Sequence, residues 1–273
     1  MHMSIPHTDL SQMLETAVVA ARLAGQRAME ELRYIRKLPK SDNELVTQAD
    51  PVCQKIIIDC IREHYPDHGF LCEEGPNGQL YRIQPRGEEA VWWIIDPIDG
   101  TNNFANGLLC FCVSIAAMLE GQPLLGVVFD PTTDSMYSAA QDMDALLNGS
   151  RIVVSDDAIG PFASFAIDSH TAPQTDSAVK QIMQSTRFRC LGSTALHMAY
   201  VAKGAMIGMF SSSARLWDIA AGAILVERAG GRVSDLKGNP LFPVNPQLYN
   251  MERLPILATS AKIYPKALEL FAG

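Results

Sequence analysis

The sequence predicts a layered α/β fold of mixed α+β character, and three observations predict it. Apolar runs joined by short turns between Val91 and Ala139 read as an antiparallel meander. From Phe162 onward, strand-like and helix-like segments alternate, which implies helices stacked on a sheet. No Gly/Ser/Pro-rich stretch separates the two regions as a linker would. Residues 1–273 are therefore expected to form one domain, with an antiparallel-sheet part over roughly 1–155 and an α/β part over roughly 156–273. That length is enough to bury a large core.

Asp9 to about Ile35 reads as a long helix, because Leu10, Leu14, Ala17, Ala21, Ala24, Ala28 and Leu32 recur at three- and four-residue steps. Thr8 or Asp9 can cap it. Lys37 to Asn43 is expected to be a polar loop, and Leu45-Val46-Thr47 a brief extended piece. Asp50-Pro51 signals a helix start, with Asp50 at the N-cap and Val52, Ile56, Cys60 and Ile61 as the buried stripe. His64 and His68 are four apart, but Pro66 between them favours a solvated turn over a metal pair. Phe70 to Cys72 suits a short strand that delivers Glu73 and Glu74, and Gly75 to Arg86 a connection. Phe111 to Leu119, Leu124 to Phe129 and Met136 to Ala139 continue the meander. The later strands are expected at Phe162 to Ile167, Arg187 to Leu191, Met206 to Phe210, Arg232 to Ser234 and Leu254 to Thr259. Helices fall between them at Asp176 to Gln184, Thr194 to Ala202 and Trp217 to Ala229, and a last one follows Ala261.

Composition narrows the function. The net charge of −8 argues against a polyanion-binding surface, so no nucleic-acid partner is expected. A phosphorylated small molecule stays open, since a bound cation can reverse the local charge. None of the six cysteines forms a C-x-x-C pair, and they read as reduced thiols. The N-terminus shows no signal-like apolar segment and no run approaches membrane-spanning length. A cytoplasmic protein without a membrane partner is the expectation.

The stretch from Val91 to Phe104 organises the chain. An apolar strand ends at two aspartates, Asp96 and Asp99, with Pro97 between them and Gly100-Thr101 opening a short helix. The turn offers two carboxylates, the Ile98 carbonyl, a hydroxyl and exposed N–H groups, a set that suits a hard cation such as Mg²⁺ beside an anion. An ordinary turn after a buried strand would look much the same. Other carboxylates stand at strand ends or helix starts: Asp50, Glu73, Glu74 and Asp218. Singly, each would be read as a cap.

Together these residues carry a resemblance. Asp96-Pro97-Ile98-Asp99-Gly100-Thr101-x-Asn103-Phe104, and Trp217-Asp218-x-Ala220-Ala221-Gly222 through Ala229-Gly230-Gly231, resemble the two motifs of the inositol monophosphatase family. These are Mg²⁺-dependent, lithium-sensitive phosphomonoesterases. Leu45-Val46-Thr47-x-x-Asp50, Glu73-Glu74 and Gly192-Ser193-Thr194-Ala195 also match in order, so the resemblance spans nearly the whole chain. It implies an αβαβα sandwich, commonly a homodimer. It implies that Glu73, Asp96, Asp99, Asp218 and the Ile98 carbonyl hold two or three Mg²⁺ ions. Thr101, hydrogen-bonded to Asp50, would with Glu73 orient the attacking water. Gly100 and Thr101 would bind phosphate beside Asp99 and Asp218, with Gly192, Ser193, Thr194 and Ser211 facing the alcohol.

Two departures bear on substrate. Relatives that process inositol phosphate usually carry a Glu at the position of Ser211, and a serine offers the sugar hydroxyls weaker, neutral hydrogen bonds. Arg215 nearby is read as a solvated residue in preference to a contact for a second anionic group. Glu44 replaces the Asp usual before Leu-Val-Thr, and Gln141 to Asp144 is more acidic than in relatives. Histidinol phosphate, fructose 1,6-bisphosphate and 3′-phosphoadenosine-type nucleotides stand beside inositol phosphate as expected substrate types. A metal-binding scaffold without activity is the non-enzymatic alternative.

Overall fold

A computed structural model describes residues 7–35, 37–39, 45–76, 79–86 and 90–271. Helix α1 (His7–Glu31) buries Ala17, Ala20, Ala21, Ala24 and Ala28, small residues that let it lie close on a sheet. Asp9 sits in its first turn, and the Thr8 side chain falls outside the described residues. The expected polar loop begins as strand β1 (Lys37–Pro39), paired antiparallel with β2 (Leu45–Thr47), because backbone pairing does not need apolar side chains. Residues 40–44, Glu44 among them, lie outside the described set.

Helix α2 (Ala49–His64) starts one residue before Asp50, which is therefore not its N-cap. Asp50 instead turns inward, and the buried stripe rotates with it to Cys53, Ile57, Ile58 and Ile61, leaving Val52, Ile56 and Cys60 half-buried. Of the two histidines expected in a solvated turn, His64 is exposed but ends helix α2, and His68 is not solvated. His68 Nδ1 accepts from Trp93 Nε1 at 3.0 Å, and burial pushes its pKa down to about 4.

There follow β3 (Gly69–Cys72), β4 (Tyr81–Ile83), β5 (Trp92–Asp99), α3 (Thr101–Ala105), β6 (Cys112–Leu119), β7 (Gln122–Asp130), β8 (Ser135–Ala140), β9 (Leu146–Leu147) and β10 (Ser150–Arg151). They make one sheet in the order β10-β9-β8-β7-β6-β5-β3-β4, in which β3 runs parallel to β5 and the other pairs are antiparallel. β4, β9 and β10 carry no apolar pattern that predicts them, because they are short and lie half in solvent.

The second half forms β11 (Ser164–Ile167), α4 (Asp176–Ser185), β12 (Arg187–Arg189), α5 (Thr194–Ala202), β13 (Gly208–Ser211), α6 (Leu216–Arg228), β14 (Gly231–Ser234), β15 (Ile256–Ser260) and α7 (Tyr264–Glu269). Its sheet order is β12-β11-β13-β15-β14.

Strand periodicity then builds the layers. Trp93, Ile95, Val113 and Ile115 face α1 and α2, whereas Trp92, Ile94, Ala116 and Met118 face α5 and α6. Ala166, Met209 and Ala258 of the second sheet meet the same two helices, and Phe165, Ile167, Phe210 and Leu257 point out to α4 and α7. The result is the expected αβαβα order of two mixed sheets flanked by helices. Helix α6 reaches its depth through Gly126 on β7, where an added Cβ would stand 2.5 Å from the Ala221 carbonyl oxygen. Among the described residues no helix is long and apolar enough to cross a membrane.

Candidate functional site

Asp96 and Asp99 are three residues apart, so a regular strand would send them to opposite faces. The register prevents this. Asp96 pairs with Ser114 and Asp99 with Cys112, so β5 spends one residue more than β6 between these pairs. Such a bulge restores a common face, and Pro97, with no N–H to lose, sits inside it. The Ile98 N–H donates to Asp96 Oδ1 at 3.0 Å, which fixes the kink. At the end of the strand Gly100 takes φ +97° and begins α3. A side chain there would also press on the carbonyls of Cys110 and Gly192.

Three other elements bring their carboxylates to this end of β5. Glu73 follows β3, whose parallel pairing with β5 places both strand ends together; its N–H donates to the Ile95 carbonyl at 3.2 Å. Gln54 of α2 grips the next peptide, donating to Glu74 O at 2.6 Å and accepting from Glu74 N–H at 3.1 Å. Asp218 lies in the first turn of α6, and its Oδ2 accepts the Arg215 N–H at 2.8 Å, so the cap expected at a helix start is also present. One carboxylate oxygen each from Asp96, Asp99 and Asp218 lie within 4.8 Å of one another. With Glu73, Ile98, Gly100 and Thr101 they line one cleft of about 240 Å³.

Electrostatics make this cluster costly by itself. Burial first, then the charges of Glu73, Asp99, Asp218 and Asp50, push Asp96 well above the usual carboxylate range. Asp218 rises for the same reasons, burial ahead of Asp99 and Glu73. Burial lifts Asp99 to about 6, opposed by hydrogen bonds from the Ser193 hydroxyl and the Ala195 N–H. Carboxylates that raise one another's pKa while sharing an open face fit a divalent cation, which removes the repulsion that protonation would otherwise relieve. The donor set is all oxygen, as hard cations require.

Asp50 approaches from the α2 side. Its Oδ2 accepts from the Thr47 N–H at 2.8 Å and the Thr47 hydroxyl at 2.6 Å. Its Oδ1 lies 3.3 Å from the Thr101 hydroxyl, which is also 3.0 Å from the Ile98 carbonyl.

On the alcohol side the structure divides the expected residues. Gly192 and Thr194 line the cleft. Ser193 does not: it is 1% exposed, donates to Asp99 Oδ2 at 2.6 Å and caps α5 by accepting the Leu196 N–H. Ser211 is fully buried and not part of the lining, since its hydroxyl accepts the Ser213 N–H and turns toward Asp168. Arg215 is not a solvated residue. It lines the cleft with its guanidinium 5.6 Å from the Trp217 ring centroid.

Two features had no sequence signal that identified them, and a third, Asn103, stood in the first motif without a role assigned to it. Arg253 and Ser213 line the cleft from segments without a motif. Asn103 Nδ2 bonds the carbonyls of Cys110 and Leu191 at 2.7 and 2.6 Å, tying α3 to the Gly192 turn. Buried His197 accepts the Leu191 N–H on Nε2 at 2.9 Å and sets Nδ1 3.1 Å from Asp168, whose other oxygen accepts from Thr194.

Comparison with known proteins agrees with this geometry. The profile of the "Inositol monophosphatase family" matches residues 9–272. A Nus factor SuhB of Escherichia coli K12 is 37% identical over 235 residues, covering 83% of this chain and 86% of that protein. The structure of extragenic suppressor protein suhB from Bartonella henselae superposes with a TM-score of 0.86 at 28% identity, over 95% of this chain and 98% of that one. The Thermotoga maritima IMPase gives a TM-score of 0.81 at 30% identity, over 96% and 97%. The acidic cluster is of the kind typical of Mg²⁺ sites in that family.

Proposed function

This chain belongs to the inositol monophosphatase family, and on that premise we propose that it hydrolyses a small phosphate monoester, inositol 1-phosphate-like or a sugar phosphate, by direct attack of water. One observation carries the reading: carboxylates from β5 and α6 converge within 4.8 Å beside Gly100 and Thr101. Asp96, Asp99 and Asp218, with Glu73 and the Ile98 carbonyl, are the residues that would hold two or three Mg²⁺ ions. Bound there, Mg²⁺ supplies charge neutralisation around phosphorus and a water of lowered pKa.

The chain's own residues do the rest. The Thr101 hydroxyl has one hydrogen and two acceptors in reach, Asp50 and Ile98. Giving that hydrogen to Asp50 leaves the Ile98 carbonyl open as a ligand, and leaves Thr101 lone pairs to accept from the attacking water together with Glu73. Asp50 can hold this role because Thr47 fixes its second oxygen. The N–H groups of Gly100 and Thr101 orient the phosphate oxygens, while Gly192 and Thr194 bound the leaving alcohol. Among the described residues that line the cleft, no serine or cysteine is placed beside a base as a nucleophile would be, which favours water. Phosphate release from a panel of monoesters, with Mg²⁺ and with EDTA, tests the proposal. Asp96→Asn should abolish turnover with the fold intact, and full activity in that variant would overturn the mechanism. The same proposal includes one domain and a homodimer, which sedimentation analysis checks.

A second reading rests on the relatives named Nus factor SuhB: a Nus-factor role that needs the fold and not the chemistry. Complementation of an Escherichia coli strain lacking its SuhB separates the two. Rescue by Asp96→Asn as well as by wild type would favour the non-catalytic role.

A further inference from the structure

Behind Gly192 and Thr194 lies a buried polar network that the hydrolytic step leaves unused. Strand β11 runs parallel to β13 with Ile167 beside Phe210, so Asp168 and Ser211 follow side by side. The Asp168 N–H donates to the Phe210 carbonyl at 3.3 Å and fixes that placement. Helix α5 starts against them with Thr194 and brings in His197, which is fully buried, one turn later. The Asp168 carboxylate collects these side chains: the Thr194 hydroxyl at 3.0 Å from Oδ2, His197 Nδ1 at 3.1 Å from Oδ1, and the Ser211 hydroxyl.

The direction of each contact is set by what its partner can do. The Leu191 N–H donates to His197 Nε2 at 2.9 Å, so that nitrogen carries no hydrogen and the ring hydrogen belongs on Nδ1, facing the carboxylate. Burial works to raise the Asp168 pKa, but the His197 ring and the hydroxyls of Ser211 and Thr194 outweigh it and hold the carboxyl below its ordinary range. An ionised carboxylate accepts and never donates. The Thr194 hydroxyl must therefore give its one hydrogen to Asp168. Thr194 also lines the cleft, and lone pairs are all that its hydroxyl keeps for a molecule there.

We propose that Asp168 and His197 are positioning residues that fix the Thr194 hydroxyl as an obligate hydrogen-bond acceptor toward the leaving alcohol, which must present a donor to it. This deepens the phosphatase reading and rests on it. Neither residue touches the substrate: His197 orients the carboxylate, the carboxylate orients the hydroxyl, and the hydroxyl meets the alcohol. The chemistry at phosphorus stays with the acidic cluster.

The test measures kcat and KM, with Mg²⁺, for myo-inositol 1-phosphate, whose ring hydroxyls can donate, and cyclohexyl phosphate, whose ring has none. T194V, T194S, D168N and the double variant T194V/D168N are compared with wild type. Wild type should favour the inositol ester in kcat/KM. T194V should shrink that ratio about three- to tenfold, the worth of one neutral hydrogen bond, with T194S keeping it. The loss should fall on KM more than on kcat, because the contact is made before and during reaction alike. D168N should shrink the ratio as T194V does, since an amide can donate to Thr194 and turn its hydrogen toward the cleft. In the T194V background D168N should change the ratio no further. A ratio unmoved by T194V, or lowered by D168N as much in T194V as in wild type, overturns the proposal. In the wild-type protein, ¹⁵N NMR of His197 should place the ring hydrogen on Nδ1, and a hydrogen on Nε2 overturns it too. Turnover without discrimination between the two esters sinks the positioning role alone, whereas no Mg²⁺-dependent turnover of either sinks the phosphatase reading and the role with it.

Discussion

Ser193 joins two functions in one hydroxyl, and its removal should be felt in both. It donates to Asp99 Oδ2 at 2.6 Å and accepts from the Leu196 N–H at 3.2 Å. Ser193→Ala therefore removes the N-cap of α5, costing about 1 kcal/mol. It also removes a hydrogen bond to a buried carboxylate, about 1.5–3 kcal/mol more. Unfolding entropy near 2.1 cal/mol/K per residue gives about 0.6 kcal/mol/K for a chain of this length. The expected drop in Tm is thus about 4–7 °C, measured in EDTA by calorimetry or urea unfolding. In an Asp99→Ala background, which leaves no acceptor for the hydroxyl, only the cap is at stake, so the same change should cost about 1 kcal/mol, and the double-mutant cycle isolates the remainder. A total loss below about 1 kcal/mol, or equal losses in the two backgrounds, would refute the claim that Ser193 holds this carboxylate. Because the hydroxyl opposes the rise of Asp99 above 3.8, its loss should also raise that pKa beyond its value of about 6.

Three other outcomes follow from the geometry. In EDTA, Asp96, Asp99 and Asp218 bind protons more tightly folded than unfolded, so the stability they contribute is full below the ordinary value of 3.8 and is lost as pH rises through the folded values, about 6 for Asp99. Across that range they should pull Tm down as pH rises and Mg²⁺ should stabilise more at pH 7.5 than at pH 5; a Mg²⁺ effect independent of pH would count against a carboxylate site. Gly126→Ala should destabilise by about 1–3 kcal/mol in urea, because the added Cβ meets the α6 backbone at Ala221 and not a movable side chain; a neutral result would mean the helix sits farther from β7. His197→Ala removes the acceptor of the Leu191 N–H and the neighbour of Asp168, each worth about 1–3 kcal/mol when buried; steady-state kinetics should show KM rising more than kcat falls, and an unchanged KM would exclude a role in positioning the Gly192 turn.

Periodicity and turn chemistry made most elements legible, among them α5, whose bounds Thr194–Ala202 match the expectation. The acids of the cluster were legible because they interrupt apolar runs: Asp96 after Ile95, Asp218 before Ile219. What a sequence pattern does not carry is register. Whether Asp96 and Asp99 point the same way depends on one extra residue in β5 relative to β6, a property of the pair and not of either strand. Helix α2 shows the same limit on a smaller scale, because its buried face was set by Asp50 turning toward Thr47, not by its apolar residues alone.

Side-chain direction was the other hidden variable, and it changes the meaning of this site. Ser193 and Ser211 occupy positions that motif spacing assigns to the alcohol pocket, yet both hydroxyls point into the protein, one to a carboxylate of the acidic cluster and one to the Asp168 network. A buried hydroxyl must spend its hydrogen bonds inward. With both serines turned inward, the polar side chains that line the cleft beside the acids include, among the described residues, Asn102, Thr194, Ser213, Arg215 and Arg253. On the proposed function, reaction type and substrate choice are carried by different elements. The first rests on the bulged end of β5 and the start of α6, and the second on side chains that line the cleft beyond them, Thr194 among them.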